Sequence, residues 1–243
     1  MNIVKLDAIN STNQFLKDFA KSNEVDNWTV VTAQYQTSGR GQMQTKWESI
    51  KNKNLLFSVL IKFEDMNIEN QFYMNCAISL GIYNSLLNYK VGSLSVKWPN
   101  DIMAENKKIA GILIENTLVK DHIKYAVVGI GLNVNQIQFP VSLPKATSLK
   151  LLLDKELNRD ILLQEIVNSI KHYINFLKKK EFSFLKEQYE KVLFKIGINQ
   201  VFENNKGHTF TGKILGINKQ GKLLIEEENK EIKEFNFKEI KFL

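Results

Sequence analysis

The stretch TVVTAQYQTSGRGQMQTKWES, residues 29–49, contains a strand-like run followed by a long polar segment. Residues 29–36 alternate β-branched or aromatic with polar side chains, the pattern of a half-buried strand. A second apolar run, LLFSVLI at 55–61, follows. The segment between them, about eighteen residues, is too long for an ordinary connection in a compact domain, where such loops are usually functional or disordered. We therefore predict two strands flanking a functional loop.

The centre of this loop has the chemistry of an anion site. Gly39 and Gly41 free the backbone to approach a ligand closely. Arg40, between them, is one of only two arginines in the chain, and its guanidinium can bind a carboxylate or phosphate through two hydrogen bonds. On this segment alone, an exposed hairpin loop without a ligand is an equal alternative.

Composition and charge exclude several classes of protein. The 243 residues suit one large domain, or one with a small appendage, and a hydrophobic content of 44% indicates a globular chain. The sequence has no signal peptide and no apolar run near the roughly 20 residues of a membrane span. The single cysteine, Cys76, allows no internal disulfide, and three scattered histidines provide no metal-ligand cluster. We expect a cytoplasmic protein.

A net charge of +7 raises the possibility of a nucleic-acid partner. The positive charge is spread along the chain, with local lysine runs such as 178–180. No recognition-helix pattern is present, and no aromatic residues are interleaved with the lysines. These lysines therefore indicate solvated helix ends rather than a nucleic-acid surface.

Hydrophobic periodicity predicts an α+β protein. Strands are expected at 2–8, 29–36, 55–61, 94–98, 102–104, 108–115 and 125–135, and helices from residue 12 for about three turns, at 68–89, 158–177 and 182–194. After residue 198, short strands alternate with glycine and asparagine turns, as in a small antiparallel barrel. We predict a catalytic domain over 1–196 and a small C-terminal β-barrel domain over 197–243.

Polar side chains gather at the ends of several predicted elements. Ser11, Thr12 and Asn13 are N-cap candidates for the first helix, and a helix N-terminus with spare hydroxyl and amide groups is also a good polar pocket. The turn 97–101, KWPND, precedes a strand that starts near Lys108 and contains Gly111. Turn chemistry explains the proline and asparagine but not two lysines and an aspartate beside apolar strand ends.

Gly129 and Gly131 form a GxG pattern within a strand rather than before a helix. As a dinucleotide-binding fingerprint this pattern is weak, because that motif opens a helix. Glycines that let a flat ligand lie against the sheet fit better.

Together these motifs resemble the biotin protein ligases. The resemblance covers essentially the whole chain and depends on motifs in family order: Ser11–Asn13, Gly39–Gly41 with Trp47 and Ser49, Lys97–Asp101, Lys108–Glu115, Gly129–Asn135 and Gly216–Glu226. It implies an α+β fold with a mixed, largely antiparallel sheet and flanking helices, similar to class II synthetases, and a small C-terminal β-barrel. The implied enzyme is an ATP-dependent, AMP-forming biotin–[biotin carboxyl-carrier protein] ligase.

The resemblance also implies the reaction and its residues. Biotin and ATP, with Mg²⁺, form biotinoyl-AMP, and a lysine of a biotin carboxyl carrier protein then accepts the biotin. Lys108 and Arg40 are the implied catalytic residues. The implied biotin-binding residues are Ser11, Thr12, Asn13, Gln34, Gly39, Arg40, Gly41, Gln42, Lys108 and Gly111. The implied nucleotide-binding residues are Arg40, Trp47, Lys97, Asn100, Asp101, Lys108 and Asn133, with Asp101 also a candidate contact for Mg²⁺ but no metal held by protein alone.

The chain departs from the family pattern in two ways, and two alternative functions stay open. Many family members carry a second arginine and more glycines where this chain has Gln42, Met43, Gln44 and Thr45. The chain also begins at the catalytic domain, so we expect no N-terminal DNA-binding domain. The resemblance leaves both a monomer and a homodimer open. Lipoate ligases and octanoyltransferases share the fold and the carrier-lysine chemistry. A non-enzymatic regulator that binds biotin or nucleic acid is the second alternative.

Overall fold

The structure, a computed structural model, describes residues 1–42 and 45–243. Its first seven strands are β1 (Ile3–Ile9), β2 (Val30–Gln36), β3 (Leu55–Lys62), β4 (Leu94–Lys97), β5 (Asp101–Ala104), β6 (Lys107–Val119) and β7 (His122–Leu132). The helices are α1 (Thr12–Ser22), α2 (Gln71–Leu87), α3 (Leu149–Leu153), α4 (Arg159–Lys178) and α5 (Phe182–Lys191). The last five strands are β8 (Asn199–Asn204), β9 (Thr209–Ile217), β10 (Leu223–Glu227), β11 (Ile232–Phe235) and β12 (Ile240–Phe242).

The first seven strands form one mixed sheet in the order β1-β2-β3-β7-β6-β5-β4. β1 and β2 pair in parallel, and α1 connects them, because parallel neighbours need a crossover rather than a tight turn. The other neighbouring strands pair antiparallel, with β3 and β6 on either side of β7. β7 is therefore the central strand.

The two faces of this sheet are covered by different helices. Because strand side chains alternate, Phe57, Val59 and Ile61 of β3 pack into the large core shared with α2 and α4. Leu60 lies on the opposite face, in a smaller cluster with Leu16 of α1. Ser58 has the same parity as Leu60 and is fully buried, so a polar group lies under the start of α1.

Helices α2 and α4 pack closely because of Gly81. A Cβ at Gly81 would lie 2.7 Å from the Cα of Ile170 in α4.

The C-terminal strands form a five-stranded antiparallel sheet in the order β11-β10-β9-β8-β12. This sheet packs against the rest of the chain: the indole nitrogen of Trp98 donates a hydrogen bond of 2.9 Å to the carbonyl of Gly221. A side chain at position 221, in the turn that contains this glycine, would need the space that Phe72 of α2 occupies. The C-terminal sheet therefore shares its core with the first 196 residues.

The predicted fold class is confirmed, with two local differences at β12 and at the start of α2. β12 had no counterpart in the sequence prediction, because three residues near a chain end are too short for a periodicity signal. The helix expected from residue 68 starts with a 3-10 turn, and its α-helical part begins at Gln71. Gly197 has φ +72° just before β8, but the division into 1–196 and 197–243 as separate folding units stays a prediction.

None of the helices in the described part of the chain is long and apolar enough to cross a membrane.

We predict that Gly221→Ala destabilises the protein more than Gly207→Ala. Both glycines have positive φ, +85° and +78°, so alanine at either costs about 1–2 kcal/mol of backbone strain. Only Gly221 faces Phe72, 2.5 Å from a built Cβ, which adds about 1–3 kcal/mol of overpacking; nothing lies within 4 Å at Gly207. Urea unfolding of both variants measures the difference, and equal losses would show that the C-terminal sheet does not pack on Phe72.

Candidate functional site

A cavity of about 350 Å³ opens on the α1 face of the large sheet. Its floor is formed by β6 and β7, and its walls come from the start of α1, the loop after β2, the turn between β4 and β5, and the last strand. The residues of the sequence-predicted site that line it are Ser11, Thr12, Asn13, Arg40, Gly41, Gln42, Trp47, Lys97, Asn100, Asp101, Lys108 and Gly111.

One end of the cavity is a buried polar network at the start of α1. The hydroxyl and backbone N–H of Thr12 both donate to Oε1 of Gln36, at 3.0 and 2.8 Å. Ser58 Oγ lies 2.8 Å from Thr12 Oγ1 and 2.5 Å from Asn13 Oδ1. Ser11 caps the helix by accepting from the N–H of Gln14. This end can recognise a small ligand that carries both donors and acceptors.

Three glycines in the floor of the cavity have side chains from elsewhere lying over them. Asn13 lies against Gly129, where a Cβ would collide with its Oδ1. Gly111 and Gly131 are cross-strand partners, and the Trp47 indole lies against both. The sequence analysis expected a flat ligand against Gly129 and Gly131; in this structure Asn13 and the Trp47 indole lie there, and a ligand at these glycines stays a prediction. The indole nitrogen of Trp47 is buried and makes no hydrogen bond within the part of the chain described.

Lys108 and Asp101 form an ion pair at the other end. Lys108 Nζ lies 2.7 Å from Asp101 Oδ1 and 5.6 Å from the centre of a Trp47 ring. A register shift between Ile102 and Met103 sets Lys108 opposite Met103 where β5 pairs with β6. The Lys108 side chain is 38% exposed and that of Asp101 is 23% exposed, so the ion pair is partly buried.

Lys97 is a second cation in the wall. Burial lowers its pKa below the usual range, and the nearby positive charges of Lys145 and Lys108 add to this shift, whereas Asp101 opposes it. Its Nζ lies 4.7 Å from the ring centre of Phe242, in the last strand. A new negative charge in this region would therefore be stabilised by cations that are already partly desolvated.

The turn that carries Lys97 and Asp101 is fixed from several sides. The side-chain amide of Asn100 donates to the backbone carbonyl of Ile112 at 2.7 Å, and the backbone carbonyl of Asn100 accepts from the Ile112 N–H at 3.0 Å. The carbonyl of Pro99 accepts from Asn75 and from the hydroxyl of Tyr189. Asn100 therefore joins this turn to the backbone of β6, while its contact with a nucleotide stays a prediction.

Arg40 reaches the cavity from the loop after β2, where Arg40 and Lys46 form an isolated antiparallel bridge. Its Nη2 lies 3.0 Å from Oε2 of Glu115 on β6. Burial acts to raise the pKa of Glu115, but hydrogen bonds from Lys17 and Asn13 and the charge of Arg40 outweigh it and hold this pKa below the usual range. Glu115 is thus an ionised carboxylate beside the site.

Three predicted residues lie outside the lining. Gln34 is on β2, but the side chain that reaches the cavity from that strand is Gln36. Gly39 accepts from the Trp47 N–H at 2.9 Å, and a Cβ there would collide with the Trp47 carbonyl, so it shapes the loop. Asn133 is buried and donates to the carbonyl of Thr147. Met43 and Gln44, part of the departure from the family pattern, lie outside the described residues.

Four features at or beside the cavity were not predicted from the sequence: Gln36, Ser58, Glu115 and the C-terminal wall. Gln36 was visible as the last polar residue of an alternating strand, and Ser58 as the one polar residue in the run LLFSVLI. Glu115 ended a quoted motif without a role. Residues 237–242 gave no signal, because only the docking of the C-terminal sheet brings Phe237, Lys238, Ile240, Lys241 and Phe242 to the cavity.

Among residues 1–42 and 45–243, no three His, Cys, Asp or Glu side chains are grouped so that they could hold a metal ion. Asp101 stands as a single carboxylate that is already paired with Lys108. The chemistry available is therefore cationic: Arg40, Lys97 and Lys108 surround an apolar floor, with a polar network at one end. This arrangement suits a ligand with an apolar body, a polar head and anionic groups.

Known proteins are similar to this chain in sequence and in fold. A sequence profile of the biotin/lipoate A/B protein ligase family matches residues 6–133, and one of the biotin protein ligase C-terminal domain matches residues 203–243. The bifunctional ligase/repressor BirA of Bacillus subtilis is 29% identical over 228 residues, 93% of this chain and 69% of that protein. The biotin–[acetyl-CoA-carboxylase] ligase of Mycobacterium tuberculosis is 32% identical over 142 residues, 57% of this chain and 51% of that protein.

A solved structure is similar to this chain over its whole length. The biotin protein ligase from Aquifex aeolicus, in complex with biotin and ATP, is 30% identical in sequence and superposes with a TM-score of 0.82. The match covers 100% of this chain and 98% of that one. With the family profile matching more than half of its length, this chain belongs to the biotin/lipoate A/B protein ligase family, in the group formed by the biotin protein ligases.

Proposed function

We propose that this enzyme joins biotin and ATP to give biotinoyl-AMP, and then transfers the biotin to a lysine of a biotin carboxyl carrier protein or domain. The observation that carries the proposal is the cavity itself. A polar network that can hold a ureido head lies at one end, and Arg40, Lys97 and Lys108 provide positive charge for a carboxylate and phosphates.

In the first step, a carboxylate oxygen of biotin attacks the α-phosphorus of ATP, and the bond to the bridging oxygen of the β-phosphate breaks, releasing pyrophosphate. Two anions must approach each other, so the site has to supply cations and hydrogen-bond donors at the reacting oxygens. Lys108 fills this role: its ammonium is held 2.7 Å from Asp101 and is therefore oriented before ligands bind. Arg40 and the loop backbone hold the adenylate.

In the second step, the neutral amine of the carrier lysine attacks the acyl carbon of biotinoyl-AMP. An amide forms, AMP leaves and the amine loses a proton. The mixed anhydride must be kept from water until the carrier arrives. Trp47 and the loop that carries Arg40 are in place to cover it.

Mg²⁺ enters this scheme with ATP, as part of the substrate. The protein contributes one carboxylate near the phosphate subsite, Asp101, which would have to share its charge between Mg²⁺ and Lys108. A protein-held metal site does not fit the described residues.

We predict that Lys108→Ala lowers the rate of biotin-dependent pyrophosphate release by about 10²–10³-fold, because a donor that stabilises transition-state charge is lost. Lys107→Ala is the matched control: it removes the same side chain from the preceding, exposed position of β6. Circular dichroism checks that both variants are folded. Normal pyrophosphate release by folded Lys108→Ala would remove this lysine from the reaction.

We predict that Gln36→Ala weakens biotin binding and Gln34→Ala does not. Removing the Gln36 side chain leaves both Thr12 donors without their acceptor, and an unsatisfied buried donor costs about 1–3 kcal/mol, or roughly 5- to 150-fold in the dissociation constant. Oε1 of Gln34 is buried and has no hydrogen-bond partner among the described residues, so Gln34→Ala removes no hydrogen bond to that oxygen.

Isothermal titration with biotin measures both dissociation constants, with less than a threefold change expected for Gln34→Ala. If the two variants bound equally well, the polar network at the start of α1 would not be the biotin subsite.

A further inference from the structure

Glu115 contacts residues from two separate walls of the cavity. Its Oε2 accepts from Asn13 Nδ2 at 2.9 Å, at the start of α1 where the polar network lies. The same oxygen is 3.0 Å from Arg40 Nη2, in the loop after β2. Its other oxygen, Oε1, is 2.7 Å from Lys17 Nζ, one turn further along α1.

The surroundings keep this carboxylate charged and fixed. The Glu115 side chain is only 20% exposed, and it belongs to the central β6–β7 pair of strands, opposite Val127. Burial alone would raise its pKa, but two cations and an amide donor lower it, so the carboxylate is ionised at neutral pH. A charge held by three partners on a rigid strand is a firm anchor for a side chain on a loop.

Arg40 needs such an anchor. It projects from a glycine-flanked loop, and its contact with Glu115 is its one side-chain hydrogen bond within the ranges 1–42 and 45–243. A guanidinium has five N–H donors, so a bond from Nη2 leaves others for a ligand. The contact therefore orients Arg40 without using up its capacity to bind phosphate.

Asn13 depends on Glu115 in the same way. Ser58 donates to Asn13 Oδ1, while Glu115 and the carbonyl of Leu113 accept from Asn13 Nδ2. These contacts fix the orientation of the Asn13 side-chain amide, because its oxygen and nitrogen face different partners. The orientation of the Asn13 amide and that of the Arg40 guanidinium are thus set by one carboxylate.

We propose that Glu115 is a positioning residue that holds Arg40 for the nucleotide and Asn13 for biotin, and so links the two subsites. The assignment of ligands rests on the proposed function, but the tether itself does not. Lys17 supplies a second positive charge, so Glu115 keeps a further cationic partner while the other donors of Arg40 bind a phosphate.

Glu115→Gln separates the two contacts. A glutamine can still accept a hydrogen bond from Asn13, but it has no charge to hold Arg40. The exposed Glu228→Gln, in the turn after β10, is the matched control.

The first measurement uses the enzyme without ligands. Trypsin cutting after Arg40 should be at least threefold faster in Glu115→Gln than in the wild type or Glu228→Gln, with cutting after the exposed Lys219 as the internal reference. Unchanged cutting after Arg40 overturns the tether. This result holds whatever the substrates of the enzyme are.

The second measurement is steady-state pyrophosphate release. We expect Glu115→Gln to raise the KM for ATP about tenfold, with kcat and the KM for biotin changed less than threefold. In an Arg40→Ala background the same substitution should have no further effect on the KM for ATP. Equal losses in both backgrounds, or equal losses for ATP and biotin, would show a general structural role and overturn the assignment. Absence of biotin-dependent release by the wild type would instead contradict the proposed function.

Discussion

Gly111, Gly129 and Gly131 leave a patch without side chains on one face of β6 and β7, and the candidate site depends on this bare patch. Without it, Asn13 could not lie against the sheet at Gly129, and Trp47 could not cover the pair Gly111 and Gly131. The start of α1 and the loop after β2 would both be pushed outward. Glycine in a strand interior weakens the strand, so these positions trade stability for close approach to the backbone.

Arg40, Lys97 and Lys108 each have an acidic residue close by. Lys108 is paired with Asp101 and Arg40 with Glu115, whereas Lys97 is partly desolvated and near Asp101. These ion pairs keep the positive side chains oriented before any anionic ligand enters the cavity. When a carboxylate and phosphates bind, the donors are already in place, which is the condition for electrostatic stabilisation of a transition state.

The C-terminal sheet is part of this arrangement. Trp98, next to Lys97, bonds the carbonyl of Gly221, and Phe242 of β12 lies beside the Lys97 ammonium. The wall formed by residues 237–242 exists only when the sheet is docked. The position of the β4–β5 turn therefore depends on contacts made by the last strands of the chain.

Local patterns predicted the elements and the fold class well, because strand alternation, helix caps and glycine turns are local signals. They also indicated Arg40, Lys108 and the residues at the start of α1. They failed where a role depends on pairing across the sheet. Gln34 and Gln36 have the same parity on one strand, so only the position of α1 shows that Gln36 bonds Thr12. Glu115 and residues 237–242 acquire roles through contacts distant in sequence.

We propose that this cavity activates biotin rather than lipoate or octanoate, the acids handled by the alternative enzymes of this fold. ATP–pyrophosphate exchange tests it directly, because exchange reports formation of the acyl-adenylate without any carrier protein. We expect exchange that depends on biotin and is at background with lipoate or octanoate at the same concentration. Exchange supported by lipoate or octanoate but not by biotin would contradict it.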